Sequence, residues 1–168
     1  MKSQVISIRP AEPADASAIA AVHDAAWREA YRGIIPGREL ERMVERRGPA
    51  WWRSAIRRGA PIRVLDLGEG VRGYASYGRN RTRALPQSGE IFEIYLDPLY
   101  QGMGLGQRLF GQVRQDLKRR GLGGLVVWAL ADNERACGFY RHLGGRAALQ
   151  GVERFGGTGL DRTAFVWR

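Results

Sequence analysis

The chain has 168 residues, 44% of them apolar and 26% charged, a balance that suits one globular domain spanning 1–168 and excludes wholesale disorder or a fibrous chain. No stretch approaches the roughly 18 consecutive apolar residues of a membrane helix, and the single cysteine, Cys137, allows neither an internal disulfide nor a multi-cysteine zinc site. The formal net charge is +10, and all of the 27 basic residues except Lys2 and Lys118 are arginine; this suits an anionic partner or an arginine-rich solvated surface.

The opening MKSQVISIRP has neither a long apolar core nor a small-residue cleavage site, so the expectation is a cytoplasmic protein. Val5, Ile6 and Ile8 form a β-prone run ended by Arg9-Pro10. Glu12-Pro13-Ala14-Asp15 reads as a helix start, with Pro13 tolerated in a first turn and Asp15 near the positive end of the dipole. Ile19, Val22, His23, Ala26, Trp27 and Ala30 then recur at helical spacing until Gly33 and Pro36-Gly37. Arg38 to Arg47 predicts a second helix, and Trp51 to Arg58 another turn or two.

From residue 61 the period changes to that of strands. Ile62, Val64 and Leu65, a Gly68-Glu69-Gly70 turn and Val71 to Tyr77 predict a hairpin. Gly78 to Gly89, with Arg79, Arg81, Arg83 and Pro86, reads as a loop. A strand over Ile91–Leu96 precedes a helix over Gly104–Arg120, with Leu105, Leu109, Val113 and Leu117 on one stripe. Leu125–Leu130 predicts an apolar strand, Asn133–Leu143 a short helix, and Arg146–Val152 and Thr163–Trp167 two final strands. The sum is one mixed α/β domain (α+β) with a mostly antiparallel sheet and one strand–helix–strand crossover.

The segment Leu96-Asp97-Pro98-Leu99-Tyr100-Gln101-Gly102-Met103-Gly104-Leu105-Gly106 ends a strand and opens a helix through a glycine-dense loop. Glycines let the backbone turn tightly, and free N–H groups at a helix start suit a phosphate or diphosphate. A P-loop is excluded because Gly106 is followed by Gln107-Arg108 rather than Lys-Ser/Thr. The dinucleotide fingerprint is excluded because Gly102, Gly104 and Gly106 have the wrong spacing.

Gln101-x-x-Gly104-x-Gly106 between an apolar strand and an amphipathic helix resembles the acyl-coenzyme-A loop of the GNAT superfamily of N-acetyltransferases. Leu125–Leu130 followed by Asn133-Glu134-Arg135-Ala136 and Phe139-Tyr140-x-x-Leu143-Gly144 is similar to that superfamily's second block. Trp27-Arg28-x-x-Tyr31-Arg32-Gly33-Ile34-Ile35-Pro36 resembles a segment of one bacterial subgroup. The resemblance implies a six- to seven-stranded sheet flanked by helices and splayed between its fourth and fifth strands. It implies acetyl-CoA as cosubstrate, with no metal. The main chain of Ile94, Tyr95 and Leu96 would pair with the pantetheine arm, and Gln101 with the amides from Gly102, Met103, Gly104, Leu105, Gly106 and Gln107 would hold the diphosphate. Asn133 would contact the arm, flanked by Cys137 and Phe139. One departure is Gly145, where many members carry an aromatic residue after Leu-Gly.

Acetyl transfer from a thioester to an amine needs a base, a site for the oxyanion and a proton for the departing sulfur. By resemblance Tyr140 supplies that proton and the Leu96 N–H holds the oxyanion. Glu93 interrupts an apolar strand, where a carboxylate is expensive without a wet cleft or a partner. It is either the base or the partner of an arginine. Alternation places Phe92, Ile94 and Leu96 on one face and Ile91, Glu93 and Tyr95 on the other. Trp27 and Tyr31, one helical turn apart, are candidate walls of the amine pocket, or core. His23 reads as a buried or surface histidine, and His142 is expected to point away along its helix. Trp51-Trp52 cap the core or line the cleft edge.

The expected activity is direct transfer from acetyl-CoA to a primary amine of a small molecule or peptide, in a ternary complex, by a monomer or homodimer. Two alternatives stay open: transfer onto aminoacyl-tRNA, which the positive charge suits, and a non-catalytic acyl-CoA sensor. The absence of arginine runs longer than two counts against a nucleic-acid tail.

Overall fold

The computed structural model describes residues 5–168. Its strands are β1 (Ser7–Pro10), β2 (Ile62–Asp66), β3 (Val71–Arg79), β4 (Gly89–Leu96), β5 (Leu125–Leu130), β6 (Arg146–Phe155) and β7 (Thr158–Trp167). Its helices are α1 (Ala16–Tyr31), α2 (Gly37–Arg46), α3 (Pro49–Arg57), α4 (Leu105–Arg119) and α5 (Glu134–His142). The strands form one sheet in the order β1-β2-β3-β4-β5-β7-β6. Every neighbouring pair is antiparallel except β4 and β5. This is the mixed, mostly antiparallel fold with one crossover that the order of elements implies.

Helices cover both faces of the sheet. Leu109, Phe110, Val113 and Leu117 of α4 pack with Cys137 and Tyr140 of α5 against Ala75, Ile91, Val127 and Phe165. On the opposite face, Ile19 and Val22 of α1 and Trp52 of α3 pack on Ile62, Val64 and Tyr74. The α4 stripe follows the helical period because each of its leucines is buried, and full burial of such a side chain contributes roughly 1.5–3 kcal/mol.

The parallel pairing is short. Gly89, Glu90 and Ile91 lie opposite Leu125, Val126 and Val127, and no further pairs form between the two strands. On its other side β4 carries a one-residue bulge. Tyr77 pairs with Ile91 and Ser76 with Glu93, which leaves Phe92 without an opposite number in β3. A bulge bends its strand and sharpens the local twist. β4 therefore bends away from β5 immediately after Ile91, and the two strands splay apart.

The bulge corrects the alternation expected for this strand. Ile91 faces the α4 side together with Ile94 and Leu96, whereas Tyr95 faces α1 with Trp52 and Tyr74. Other differences lie at element boundaries. Strand β1 begins at Ser7, after Val5 and Ile6. A short 3₁₀ turn, Pro13–Asp15, precedes α1, and Asp15 accepts both arms of the Arg9 guanidinium at 2.8 and 2.9 Å. β6 and β7 run longer than predicted, because the outer strand is largely exposed and its polar residues hide the apolar alternation. No helix among the described residues is long and apolar enough to cross a membrane.

Candidate active site

The splay opens a cleft of about 580 Å³. One wall is the edge of β4 and the glycine loop; the other is the start of α5. Ile94, Tyr95, Leu96, Gln101, Gly102, Gly104, Gly106 and Gln107 line the first, and Asn133, Phe139 and Tyr140 the second. These residues, all singled out from the sequence, meet in one place.

Local chemistry shapes the glycine loop. Asp97 turns the chain by accepting from the Leu99 N–H at 3.0 Å. Gln101 then reaches back, its Nε2 donating to the Leu96 carbonyl at 3.3 Å, while its Oε1 is buried without a partner. Gly102 and Gly104 adopt φ of +79° and +78°, a left-handed conformation that other residues enter only at a cost. A side chain at either position would meet nothing within 4 Å. The requirement there is conformational, and it leaves an open cradle at the start of α4. The first N–H groups of a helix have no internal acceptor, and the positive end of the dipole adds to their pull on an anion. Gly106 is different: its added β-carbon would touch the Phe139 ring at 3.4 Å.

Three residues expected at this site point their side chains elsewhere. Met103 is 59% exposed and lies off the cleft lining. The Leu105 side chain packs with Leu65 and Leu67, so only its amide can serve the loop. Cys137 is buried under α5, its thiol donating to the Leu130 carbonyl at 3.6 Å, and burial raises its pKa.

Asn133 starts α5 by accepting the Ala136 N–H at 3.2 Å on its Oδ1, a side-chain cap of the usual kind. Tyr140 lies two turns on, 6% exposed, packed by Phe139, Phe165 and Trp167. Burial, with Tyr31 and Cys137 nearby, pushes its phenol well above the usual range. It stays protonated at neutral pH and offers an O–H.

Trp27 and Tyr31 do not line this cleft. They pack against the Tyr95 ring, with the Tyr31 and Tyr95 hydroxyls meeting at 2.5 Å and the Trp27 ring centre 5.8 Å from that of Tyr95, and the Tyr31 hydroxyl also lies beside Asn133 of the cleft wall. From α1 the cleft receives Ala26, Glu29 and Ala30 instead, and Ile34 joins them from just beyond the helix. Two alanines one turn apart leave the room, a signal that the aromatic stripe beside them obscured. His142, expected to point away, lines the cleft rim, as does Arg135.

Glu93 also lies off the cleft, on the α1 side. Its Oε2 accepts from Arg47 Nη1 at 2.8 Å, and its Oε1 accepts from the Tyr74 hydroxyl at 3.2 Å. Of the two readings open for Glu93, the arginine pair is therefore present in the fold. Among the loop arginines, Arg81 is held by the buried Glu90, with its own N–H and guanidinium both bonded to that carboxylate at 2.9 Å. Trp52 belongs to the core and Trp51 stacks under Arg47.

Comparison with known proteins agrees with this geometry. The family model "Acetyltransferase (GNAT) family" matches residues 19–144. The N-acetyltransferase YuaI of Bacillus subtilis is 27% identical over 163 residues, covering 97% of this chain and 93% of YuaI. Among solved structures, the PaiA N-acetyltransferase of Thermoplasma acidophilum, in complex with coenzyme A, superposes with a TM-score of 0.76 at 18% identity. It covers 95% of this chain and 98% of PaiA. YncA of Salmonella typhimurium, solved with acetyl-CoA, superposes with a TM-score of 0.70 at 23% identity, covering 98% of this chain and 94% of its own. A chain matched from the first helix to the end of α5, with its sheet open between β4 and β5, belongs to the GNAT family of acetyltransferases and is an acyltransferase.

Proposed function

We propose that the protein moves an acetyl group from acetyl-CoA to a primary amine of a small molecule or peptide, in one step within a ternary complex. One observation carries this reading: the cleft left by the β4–β5 splay joins a left-handed glycine cradle at α4 to the buried hydroxyl-bearing ring of Tyr140.

The residues fit the cosubstrate. Beyond Ile91 the β4 edge has no β5 partner, so the main chain of Ile94, Tyr95 and Leu96 can pair with an amide-bearing arm as a strand would. The amides from Gly102 to Gln107 suit a diphosphate. The Asn133 amide and the Phe139 ring flank the space between. Acetyl-CoA, when bound, supplies an activated acyl carbon and a thiolate leaving group.

The amine nitrogen attacks the acyl carbon; the C–N bond forms and the C–S bond breaks. Leu96 N–H holds the oxyanion, and Glu93, reached from the α1 side, takes a proton from the amine. Tyr140 donates its O–H to sulfur as charge builds there. A phenolate is a stronger base than a thiolate, with free values near ~10 and ~8.5. Tyr140 therefore stabilises the leaving thiolate by hydrogen bonding; the thiolate takes its proton from solvent, and the proton that Glu93 accepts from the amine is returned to solvent. Cys137, buried in the core and hydrogen-bonded to the Leu130 carbonyl rather than lining the cleft, supports direct transfer over an acyl-cysteine route.

The test is thiol release from acetyl-CoA against a panel of polyamines, aminoglycosides, amino acids and peptides, with calorimetry of coenzyme A binding alongside. The reading requires coenzyme A to bind and Glu93→Gln to flatten the rising limb of the pH–rate profile. An absence of heat with coenzyme A removes it.

A further inference from the structure

Beyond Ile91 and Val127 the sheet has a gap, and Tyr31 lies behind it. Its ring packs edge-on against that of Tyr95, 6.4 Å between centres and 74° between planes. It shares a buried cluster with Leu130, the last residue of β5. Tyr31 is itself the last residue of α1. Its carbonyl accepts the N–H groups of Ile34 and Ile35, each at 2.9 Å, so the turn that ends the helix also fixes where the side chain starts.

Packing explains the ring but not the hydroxyl. Tyr31 is 6% exposed, and a buried hydroxyl is costly unless it is bonded, so phenylalanine would fill the same space more cheaply. The hydroxyl meets one group from each wall of the cleft. From β4, whose edge lines the cleft, comes the Tyr95 hydroxyl at 2.5 Å. From the start of α5 comes Asn133.

Burial raises the Tyr31 phenol, and hydrogen bonds from Tyr95 and Asn133 act against that rise. A hydrogen bond that lowers the pKa of a phenol is one donated to its oxygen. Asn133 therefore presents Nδ2 to Tyr31, while its Oδ1 takes the Ala136 N–H at 3.2 Å. Both ends of the amide are thus assigned. An amide nitrogen of this kind carries two hydrogens. With one directed to Tyr31, the other is left for the cleft that Asn133 lines.

We propose that Tyr31 is a positioning residue for acetyl-CoA: its hydroxyl, anchored on Tyr95 of one wall, orients the Asn133 amide of the other so that Nδ2 meets the pantetheine arm. The strands cannot set this geometry themselves, because their pairing stops at Ile91 and Val127. Tyr31 is absent from the cleft lining; it acts through Asn133, which is part of it. This deepens the acetyltransferase reading above and rests on it.

The experiment is a double-mutant cycle on Tyr31 and Asn133, read by calorimetry of coenzyme A binding. Tyr31→Phe keeps the ring and removes the hydroxyl; it is expected to weaken coenzyme A by about 5- to 10-fold, the size of one lost hydrogen bond. Asn133→Ser keeps an oxygen for the α5 cap and removes Nδ2; it is expected to weaken coenzyme A by about tenfold. The double variant is expected to bind as Asn133→Ser alone does, because the hydroxyl works only through that amide. A residue that merely supports the fold would multiply the two losses. Tyr95→Phe removes the anchor and leaves the β4 main chain in place. It is expected to weaken coenzyme A by about threefold, again only where Asn133 is present, and serves if Tyr31→Phe does not fold. Unchanged affinity in both tyrosine variants, or losses that multiply in the double variant, overturns this inference alone. A wild-type chain that gives no heat with coenzyme A removes the acetyltransferase reading, and this inference with it.

Discussion

Gly145 lies so close to Trp167 that a β-carbon on it would fall 2.5 Å from Cζ2 of the indole and 2.8 Å from the Tyr140 carbonyl oxygen. The indole, anchored by its N–H to the Leu143 carbonyl at 3.0 Å, fills the space beside the end of α5. This accounts for a glycine where a side chain was expected after Leu143-Gly144. Gly145→Ala is expected to destabilise by about 1–3 kcal/mol, the usual range for overpacking, measured by urea unfolding. Trp167→Leu in the same chain should recover only part of the loss, since the clash with the Tyr140 backbone remains.

Two glycines of α4 and its approach should respond in opposite ways. Gly104→Ala forces a side chain into φ of +78° and should cost about 1–2 kcal/mol, with weaker coenzyme A binding as the cradle deforms. Gly111→Ala, inside α4 with nothing within 4 Å of the new carbon, should stabilise by roughly 0.5–1 kcal/mol. Thermal unfolding and calorimetry on the two variants check both.

Tyr140→Phe removes one oxygen from a buried ring and leaves its packing against Phe165 and Trp167 intact. A fall in kcat of about 10²-fold is expected, with the affinity for coenzyme A unchanged, as for a lost hydrogen-bond donor to charge that develops in the transition state. Stopped-flow thiol release and calorimetry separate the two quantities. A retained kcat would leave Tyr140 a packing residue.

Stability should fall in acid in two separate windows. Burial and the nearby charge of Arg47 lower the His23 pKa from 6.5 to about 4. Between those values the unfolded chain binds a proton that the folded protein refuses, so stability is full above 6.5 and declines as pH falls toward 4. The loss by about pH 5 is on the order of 2 kcal/mol. Asp15 and Asp116 titrate below their usual range, each held chiefly by its hydrogen bonds to an arginine, Arg9 and Arg63. Their contribution is present above 3.8 and disappears only as pH drops through the lower folded values. Urea unfolding of His23→Leu should show no decline in the first window and an intact decline in the second.

Much of this protein was legible along the chain. The apolar stripe at Leu105, Leu109, Val113 and Leu117 announced α4, because a helix repeats its buried face every three or four residues. The glycines at 102 and 104 announced the loop, because a left-handed turn admits little else. Asn133 and Tyr140 stood at the start and near the end of a short helix, and both meet the glycine loop across the cleft.

What periodicity reports is which residues share a face; it does not report what that face meets. The bulge at Phe92 inserts one residue, which alternation cannot detect, and it turned Ile91 toward α4. The Arg47–Glu93 pair joins the end of α2 to β4 across the folded core, and a chain with so many arginines names no particular one as partner. Trp167 fills the place beside Gly145 from the last strand. Ala26 and Ala30, rather than the aromatic residues next to them, face the cleft because β4 had already drawn Trp27 and Tyr31 against Tyr95. Element identity follows from local sterics and solvent avoidance, which act over a few residues. The composition of the site follows from contacts between distant segments, which exist only once the sheet has closed around them.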